Sequence, residues 1–247
     1  MNTEKLGPLR VHRVVVQPDE ANHKGDGEPP LTVILLHGFG APGDDLVGLA
    51  ASLGAPPGTT LLFPEAPKRV SDFVLLPFMG NARAWWMIDI RSFERAIAGN
   101  LLSDLVREVP EGLDSARDDL SKMIDALERQ GTPSSRIVLG GFSQGSMLAT
   151  DFVLRDARSF RGLVIFSGTL IAEDEWRPRM QARAGLAVFQ SHGNADPILP
   201  YGVATTLRRE LEGAGLNVTF SPFAGGHTIA PSVLHDFRVW LRALVAC

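Results

Sequence analysis

The stretch Gly141-Phe142-Ser143-Gln144-Gly145 carries the residue best placed by type and spacing to do chemistry. A serine hydroxyl is a weak nucleophile until a neighbouring base takes its proton. It must also be presented to a substrate, and G-x-S-x-G does this when it joins a buried strand to a helix. The serine then sits on a strained, very tight turn, and the small flanking residues let strand and helix approach each other. Here the apolar run Ile137-Val138-Leu139 leads in, and a helix-like stretch from Ser146 to Leu154 leads out. The alternative is a serine that only caps a helix, which is a common role. The strand–turn–helix setting favours the nucleophile.

A base and an orienting acid must accompany it. Of the 6 histidines, His12 falls in a strand, His23 in a polar loop and His235 in the closing helix. His37 and His192 each precede a glycine at a strand end. His227 follows Gly225-Gly226 in a loop between the last strand and the last helix. That loop is at the strand carboxyl ends, where α/β sheets place their sites, so His227 is the expected general base and an ordinary loop histidine is the alternative. Asp196, just past a strand end and stiffened by Pro197, is the expected partner of its far ring nitrogen. Asp174 competes, but the run Glu173-Asp174-Glu175 reads as a solvated face. The chain order Ser143, Asp196, His227 is characteristic of one fold. Acyl transfer also needs backbone N–H groups for the developing oxyanion. Gln144, after the serine, and Phe39, in the early loop Leu35-Leu36-His37-Gly38-Phe39-Gly40, are the expected donors, with His37 bracing that loop.

These residues need a scaffold that gathers them. Strands are expected at Val11–Val16, Leu31–Leu36, Thr59–Phe63, Arg136–Leu139, Gly162–Phe166, Leu186–Gln190 and Val218–Phe220. Leu113, Ala116, Leu120, Ile124 and Leu127 recur at spacings of three and four, one face of an amphipathic helix that Gly131 and Pro133 end. Further helices are expected at Ser146–Leu154, Leu199–Glu212 and Ser232–Val245. Strands alternating with helices imply crossover units and a mostly parallel sheet covered on both faces. The polar segment 17–30 reads as a loop, and residues 66–100 carry no clear period.

Bulk composition narrows the function. The chain has 247 residues, 45% of them hydrophobic, enough for one large core, and a single domain over 1–247 is expected, with 1–30 an N-terminal strand and polar loop. A net charge of −4 without a long basic run gives no footprint for nucleic acid. The lone cysteine, Cys247, forms no internal disulfide and makes a poor nucleophile. There is no apolar stretch for a secretory signal or a membrane span, so a cytoplasmic location is expected. Neither a metal nor another cofactor is called for; the partner is a small-molecule ester, and oligomeric state is not legible.

Four blocks, LLHGFGAPGDD, GFSQGSMLA, SHGNADPILP and FAGGHTI, resemble in content and order those of the phospholipase/carboxylesterase family of α/β-hydrolases. The likeness runs from Leu31 onward. It implies an α/β-hydrolase fold without a large lid, Ser143 as nucleophile, His227 as base, Asp196 as its partner, and Phe39 and Gln144 as oxyanion donors. Trp85-Trp86-Met87 resembles the tryptophan-containing segment beside the family's site and is the expected substrate-binding element, although its wording departs from the thioesterase members. Other candidate wall residues are Phe73, Leu75, Leu76, Phe78 and Met79. The expectation is a serine esterase for short-to-medium acyl groups. Thioester or lysophospholipid hydrolysis is the main alternative, and an acyltransferase or an inactive binding protein on the same fold stand further off.

Overall fold

A computed structural model describes residues 2–17, 30–73, 80–88 and 106–245. Leu75, Leu76, Phe78, Met79, His23 and Cys247 lie outside the described residues, as does most of the polar segment 17–30. The chain opens with a hairpin, β1 (Asn2–Leu6) and β2 (Leu9–Val15). It continues through β3 (Thr32–Leu36), β4 (Thr60–Pro64) and a short pair, β5 (Lys68–Arg69) and β6 (Arg83–Ala84). Then follow α1 (Leu113–Arg129), β7 (Ile137–Phe142), α2 (Gln144–Arg155), β8 (Gly162–Phe166) and α3 (Glu173–Met180). The last elements are β9 (Ala187–Gly193), α4 (Tyr201–Gly213), β10 (Asn217–Phe223) and α5 (Pro231–Val245).

Eight strands form one sheet in the order β1-β2-β4-β3-β7-β8-β9-β10. The six from β4 to β10 run parallel, and only the N-terminal hairpin is antiparallel to its neighbours. β7 and β8 are apolar throughout their buried lengths and β3 is so after Thr32, as strands covered on both faces are. On one face pack α1 to α4, through Leu120, Ile124, Leu148, Phe152, Trp176 and Leu207. On the other, α5 and the 3-10 turn Asp45–Leu49 close a cluster in which Phe166, Phe189, Phe237 and Trp240 meet edge-on or tilted at 5.4–5.9 Å. Among the described residues no helix is long and apolar enough to cross a membrane.

The chain lays β4 on one side of β3, then returns to lay β7, β8, β9 and β10 in turn on the other. β3 and β7 therefore flank the point where the winding direction reverses. The carboxyl ends of strands at such a reversal are the position where open α/β sheets bind ligands.

Two expectations about local structure need correction. The first strand is not an isolated run at Val11–Val16. It is the second arm of a hairpin whose first arm, Asn2–Leu6, has too few apolar residues to announce itself; only Leu6 is buried there. Its turn at Gly7 has φ +56°, which a glycine takes without cost. Likewise, Glu173-Asp174-Glu175 is not wholly a solvated face. It opens α3, and Glu173 is buried against Arg177 at 2.7 Å. The acidic first turn complements the helix dipole, and Trp176 in the next turn anchors the helix to the core.

Helix α2 is buried from Gln144 to Leu154, so its one acid has to be paired. Asp151 accepts hydrogen bonds from Arg117 of α1 (2.9 Å), Arg155 (2.8 Å) and the Trp176 indole of α3 (2.9 Å). At its start α2 presses on the sheet. A Cβ on Gly141 would lie 2.4 Å from the Leu36 carbonyl oxygen, and one on Gly145 only 2.1 Å from it. Both contacts are with backbone, which cannot step aside. Gly145→Ala is therefore expected to lower stability by about 1–3 kcal/mol. The loss should appear in urea denaturation, and an alanine variant as stable as the parent would show that the helix and strand are less tightly apposed than described.

Candidate active site

Ser143 stands between β7 and α2 with φ 52° and ψ −121°, a backbone conformation that L-residues avoid. Its N–H donates to the Phe166 carbonyl at the end of β8, 2.9 Å away. Its carbonyl accepts from the N–H of Ser146 and Met147 and from the Ser146 hydroxyl (2.7–3.1 Å). The turn is thus held from both sides, and the residue is half-buried. The loop after β3 runs against it: a Cβ on Gly38 would sit 3.3 Å from the Ser143 Cβ and 3.2 Å from the Phe142 ring. Among the described residues the N–H groups of Phe39 and Gln144 donate to no carbonyl in the turns, loops or caps. Gln144 is the first residue of α2, so its N–H carries the positive end of the helix dipole.

His227 and Asp196 come together from neighbouring loops. β9 and β10 are parallel partners and end in register, Gly193 opposite Phe223. Beyond them Asn194 N–H donates to Phe223 O and Ala195 N–H to Gly225 O (2.9 and 3.0 Å), which lays one loop along the other. The Ser167 hydroxyl donates to the Thr228 carbonyl at 3.0 Å and ties the histidine loop to the end of β8. With the loops so fixed, His227 Nδ1 donates to Asp196 Oδ2 at 2.7 Å. The His227 ring stacks tilted on Phe142, the residue before Ser143, with centroids 4.8 Å apart.

The Asp196 carboxylate has 0% side-chain exposure. Burial pushes its pKa up, but the His227 hydrogen bond and the N–H donors of Leu199 and Ile198 outweigh that, and the net shift is downward. The acid therefore stays charged. A charged acceptor on Nδ1 keeps the proton on that nitrogen and leaves Nε2 as the free base. His192, wholly buried, approaches the same carboxylate oxygen at 3.3 Å and donates Nε2–H to Leu199 O at 2.8 Å. Asp174 is exposed in the first turn of α3, and no contact joins it to any of these residues.

His37 occupies the loop beside the serine in a structural setting. Its Nε2 accepts from Ala66 N–H at 3.0 Å, so Nδ1 holds the proton and donates to Gly38 O at 2.9 Å. Both ring nitrogens are spent on backbone.

The substrate-binding expectation needs revision. Trp85 and Trp86 are 0% and 2% exposed and belong to the main core cluster. They offer no surface to a ligand, because two indoles side by side are worth more buried against Leu and Ile than left at a wet mouth. Met87 is half-buried, and with Phe39 it covers a small apolar group of Val70, Ala82 and Ala84. Phe73 is 58% exposed, with the Lys68 ammonium over its ring. Sequence reasoning missed the Gln144 side chain, which bonds the backbone of Trp85 and Trp86 (2.8–3.0 Å). The bulk of Gln at a position beside a tight turn was the available signal.

The sequence matches the Phospholipase/Carboxylesterase family over residues 14–245. The chain belongs to that family. It is therefore a hydrolase, and the match reaches further toward the N-terminus than the likeness noted from Leu31. Among curated relatives, acyl-protein thioesterase 1 of Eremothecium gossypii is 30% identical over 220 residues, covering 85% of this chain and 86% of that one. Among solved structures, esterase PE8 superposes with a TM-score of 0.73 at 24% identity, covering 96% of this chain and 99% of that one. The Bacillus cereus carboxylesterase does so with 0.66 at 19% identity, covering 96% and 94%. At those identities the structural likeness is one of fold.

Burial sets the pH response of the hydrolase. His37 and His192 both have pKa values lowered from 6.5, chiefly by desolvation. A base with a depressed native pKa binds its proton first in the unfolded chain. Stability is then fully present above about pH 6.5 and falls as pH drops below it, until the native pKa is reached. Each such histidine contributes a slope of about 1.4 kcal/mol per pH unit in that window. Urea denaturation at pH 7.5 and 5.5 should show the loss, and His192→Gln should remove about one proton of uptake. An unchanged slope in that variant would mean His192 is already protonated in the native state.

Proposed function

We propose that this hydrolase cleaves carboxylic esters with short-to-medium acyl groups through an acyl-enzyme on Ser143. The observation that carries the reading is the 2.7 Å bond from His227 Nδ1 to the buried, charged Asp196, with the imidazole stacked beside the strained turn of Ser143. His227 Nε2 would take the Ser143 hydroxyl proton as Oγ attacks the ester carbonyl carbon. The N–H groups of Phe39 and Gln144 would receive the oxyanion. Collapse of the tetrahedral adduct breaks the bond to the alcohol oxygen, which takes the proton from His227. Water then attacks the acyl-enzyme with the same base and releases the acid.

The acyl chain would lie along Phe39 and Met87, over the small apolar group beneath them. Each methylene buried there could contribute up to about 0.8 kcal/mol until the wall ends. A thioester carbonyl would fit the same machinery. The likeness to a protein named acyl-protein thioesterase 1 favours that as the second reading.

A chain-length series of nitrophenyl esters tests the reading, with the matching acyl thioesters alongside. Ser143→Ala and His227→Ala should each lower kcat by about 10⁴-fold or more, and Asp196→Asn should lose most activity through the wrong imidazole tautomer. Asp174→Asn should behave as wild type. Substantial turnover by Ser143→Ala would sink the triad. In the same series kcat/KM should climb over the first few carbons and then fall, and Met87→Ala should flatten the climb. Trp86→Ala should instead cost about 3–5 kcal/mol of stability, as a buried aromatic does when truncated. Rates that keep rising to long-chain emulsified lipid would overturn the short-chain assignment.

A further inference from the structure

The loop that follows β3 is held in place by a relay of hydrogen bonds that starts on the helix bearing the candidate nucleophile. The Gln144 side chain grips the backbone of the next segment in two directions. Its Oε1 accepts from Trp85 N–H at 3.0 Å, and its Nε2 donates to Trp86 O at 2.8 Å. This is the pairing an extra strand would make, supplied by one amide that is 1% exposed. Trp85 then donates its indole N–H to the His37 carbonyl at 2.9 Å. Two residues upstream, Arg83 closes a backbone pair with the same loop: Gly40 N–H to Arg83 O at 2.8 Å and Arg83 N–H to Ala41 O at 2.9 Å. Phe39 lies between the two anchored points, His37 and Gly40. The Arg83 guanidinium is in turn fixed to Glu65 (2.9 Å) and to Ala66 O (3.0 Å).

We infer that the Gln144 side chain and the Trp85 indole are positioning residues that hold the Phe39 N–H at its distance from the Gln144 N–H. The same residue thus contributes a donor through its backbone and fixes the place of the other donor through its side chain. Neither the amide nor the indole touches the substrate. Two donors stabilise a transition-state oxyanion only when their separation is set before the reaction, so loosening one lowers turnover more than binding. Buried groups of this kind also have no water to replace the lost partner. The inference rests on the proposed triad and oxyanion roles.

The test uses the purified full chain and its Trp85→Phe, Gln144→Met and double variants on nitrophenyl butyrate, with Ser143→Ala as reference. Phe retains the ring and removes the N–H; Met retains the length and removes both amide groups. Each single variant should lose about 10- to 100-fold in kcat with KM within about threefold. Affinity for a trifluoromethyl ketone, which mimics the tetrahedral adduct, should fall in parallel with kcat/KM. The pH profile of kcat/KM should not move, because His227 and Asp196 are untouched. The double variant should lose less than the product of the singles, as members of one relay do. If Gln144→Met fails to fold, judged by thermal unfolding, Trp85→Phe decides alone. A folded Trp85→Phe with wild-type kcat, or a loss confined to KM, overturns the positioning role while leaving the triad intact. An active Ser143→Ala overturns the triad itself, and this inference with it.

Discussion

A serine at φ 52° is held where L-residues lose of order 1–3 kcal/mol, and the rest of the fold has to supply that energy. It does so by trapping the turn. The Ser143 N–H is bonded to the end of β8, its carbonyl is bonded into the first turn of α2, and Gly141 and Gly145 bring helix and strand within contact of the Leu36 carbonyl. The approach of α2 to β3 also puts the serine beside the loop that begins at His37, one residue past the end of β3. Once that spacing is fixed, the remaining parts need only short loops. β8 supplies Ser167, β9 supplies Asp196 and β10 supplies His227, each just beyond its strand. The sheet order places these strands one after another on the same side of β7.

The electrostatics follow from what is dry and what is not. Asp196 is buried yet remains charged because three donors converge on it: two backbone N–H groups on Oδ1 and His227 Nδ1–H on Oδ2. A carboxylate so satisfied has little reason to take a proton from the imidazole, which suits an orienting role better than a relay. Burial lowers the pKa of both His37 and His192; His37 bonds backbone through both ring nitrogens, and His192 bonds the Leu199 carbonyl through Nε2. Only His227 keeps an open edge, with 12% side-chain exposure. Three histidines at strand ends therefore divide into two braces and one candidate base, and the division is made by solvent and hydrogen bonds rather than by position along the chain.

Much of this could be read from the residues because the relevant signals are local. A β3 or β7 strand buried on both faces must be continuously apolar, and the spacing of Leu113, Ala116, Leu120, Ile124 and Leu127 can serve only one helical face. Ser143, Asp196 and His227 each follow a strand end, so a correct list of strands nearly fixes them. The failures have a common cause in contacts that are distant along the chain. β1 has two charged residues among five and is a strand because it pairs with β2. Residues 83–86 carry no period, since only Arg83–Ala84 pair in a two-residue ladder with Lys68–Arg69 and the rest of their backbone bonds go to Gly40, Ala41 and the Gln144 side chain. Trp85 and Trp86 read from sequence as the substrate-binding element with the core as the alternative, and their burial in the main core cluster shows them as core.

That irregular segment bears on the loop after β3. A catalytic loop has to be rigid at the reacting atoms yet free of the regular structure that would occupy its N–H groups. If Phe39 N–H were paired in a ladder, it would have nothing to offer an oxyanion. The segment at 82–86 resolves this by bonding to the loop on either side of Phe39, through Gly40, Ala41 and the His37 carbonyl, and passing over Phe39 itself. Its two indoles are the mass that keeps it down, packed against the helix whose first residue holds its backbone. Residues that look from their chemistry like a binding surface are thus buried in the core, and the half-buried pair Phe39 and Met87 packs on the small group of Val70, Ala82 and Ala84 beside them.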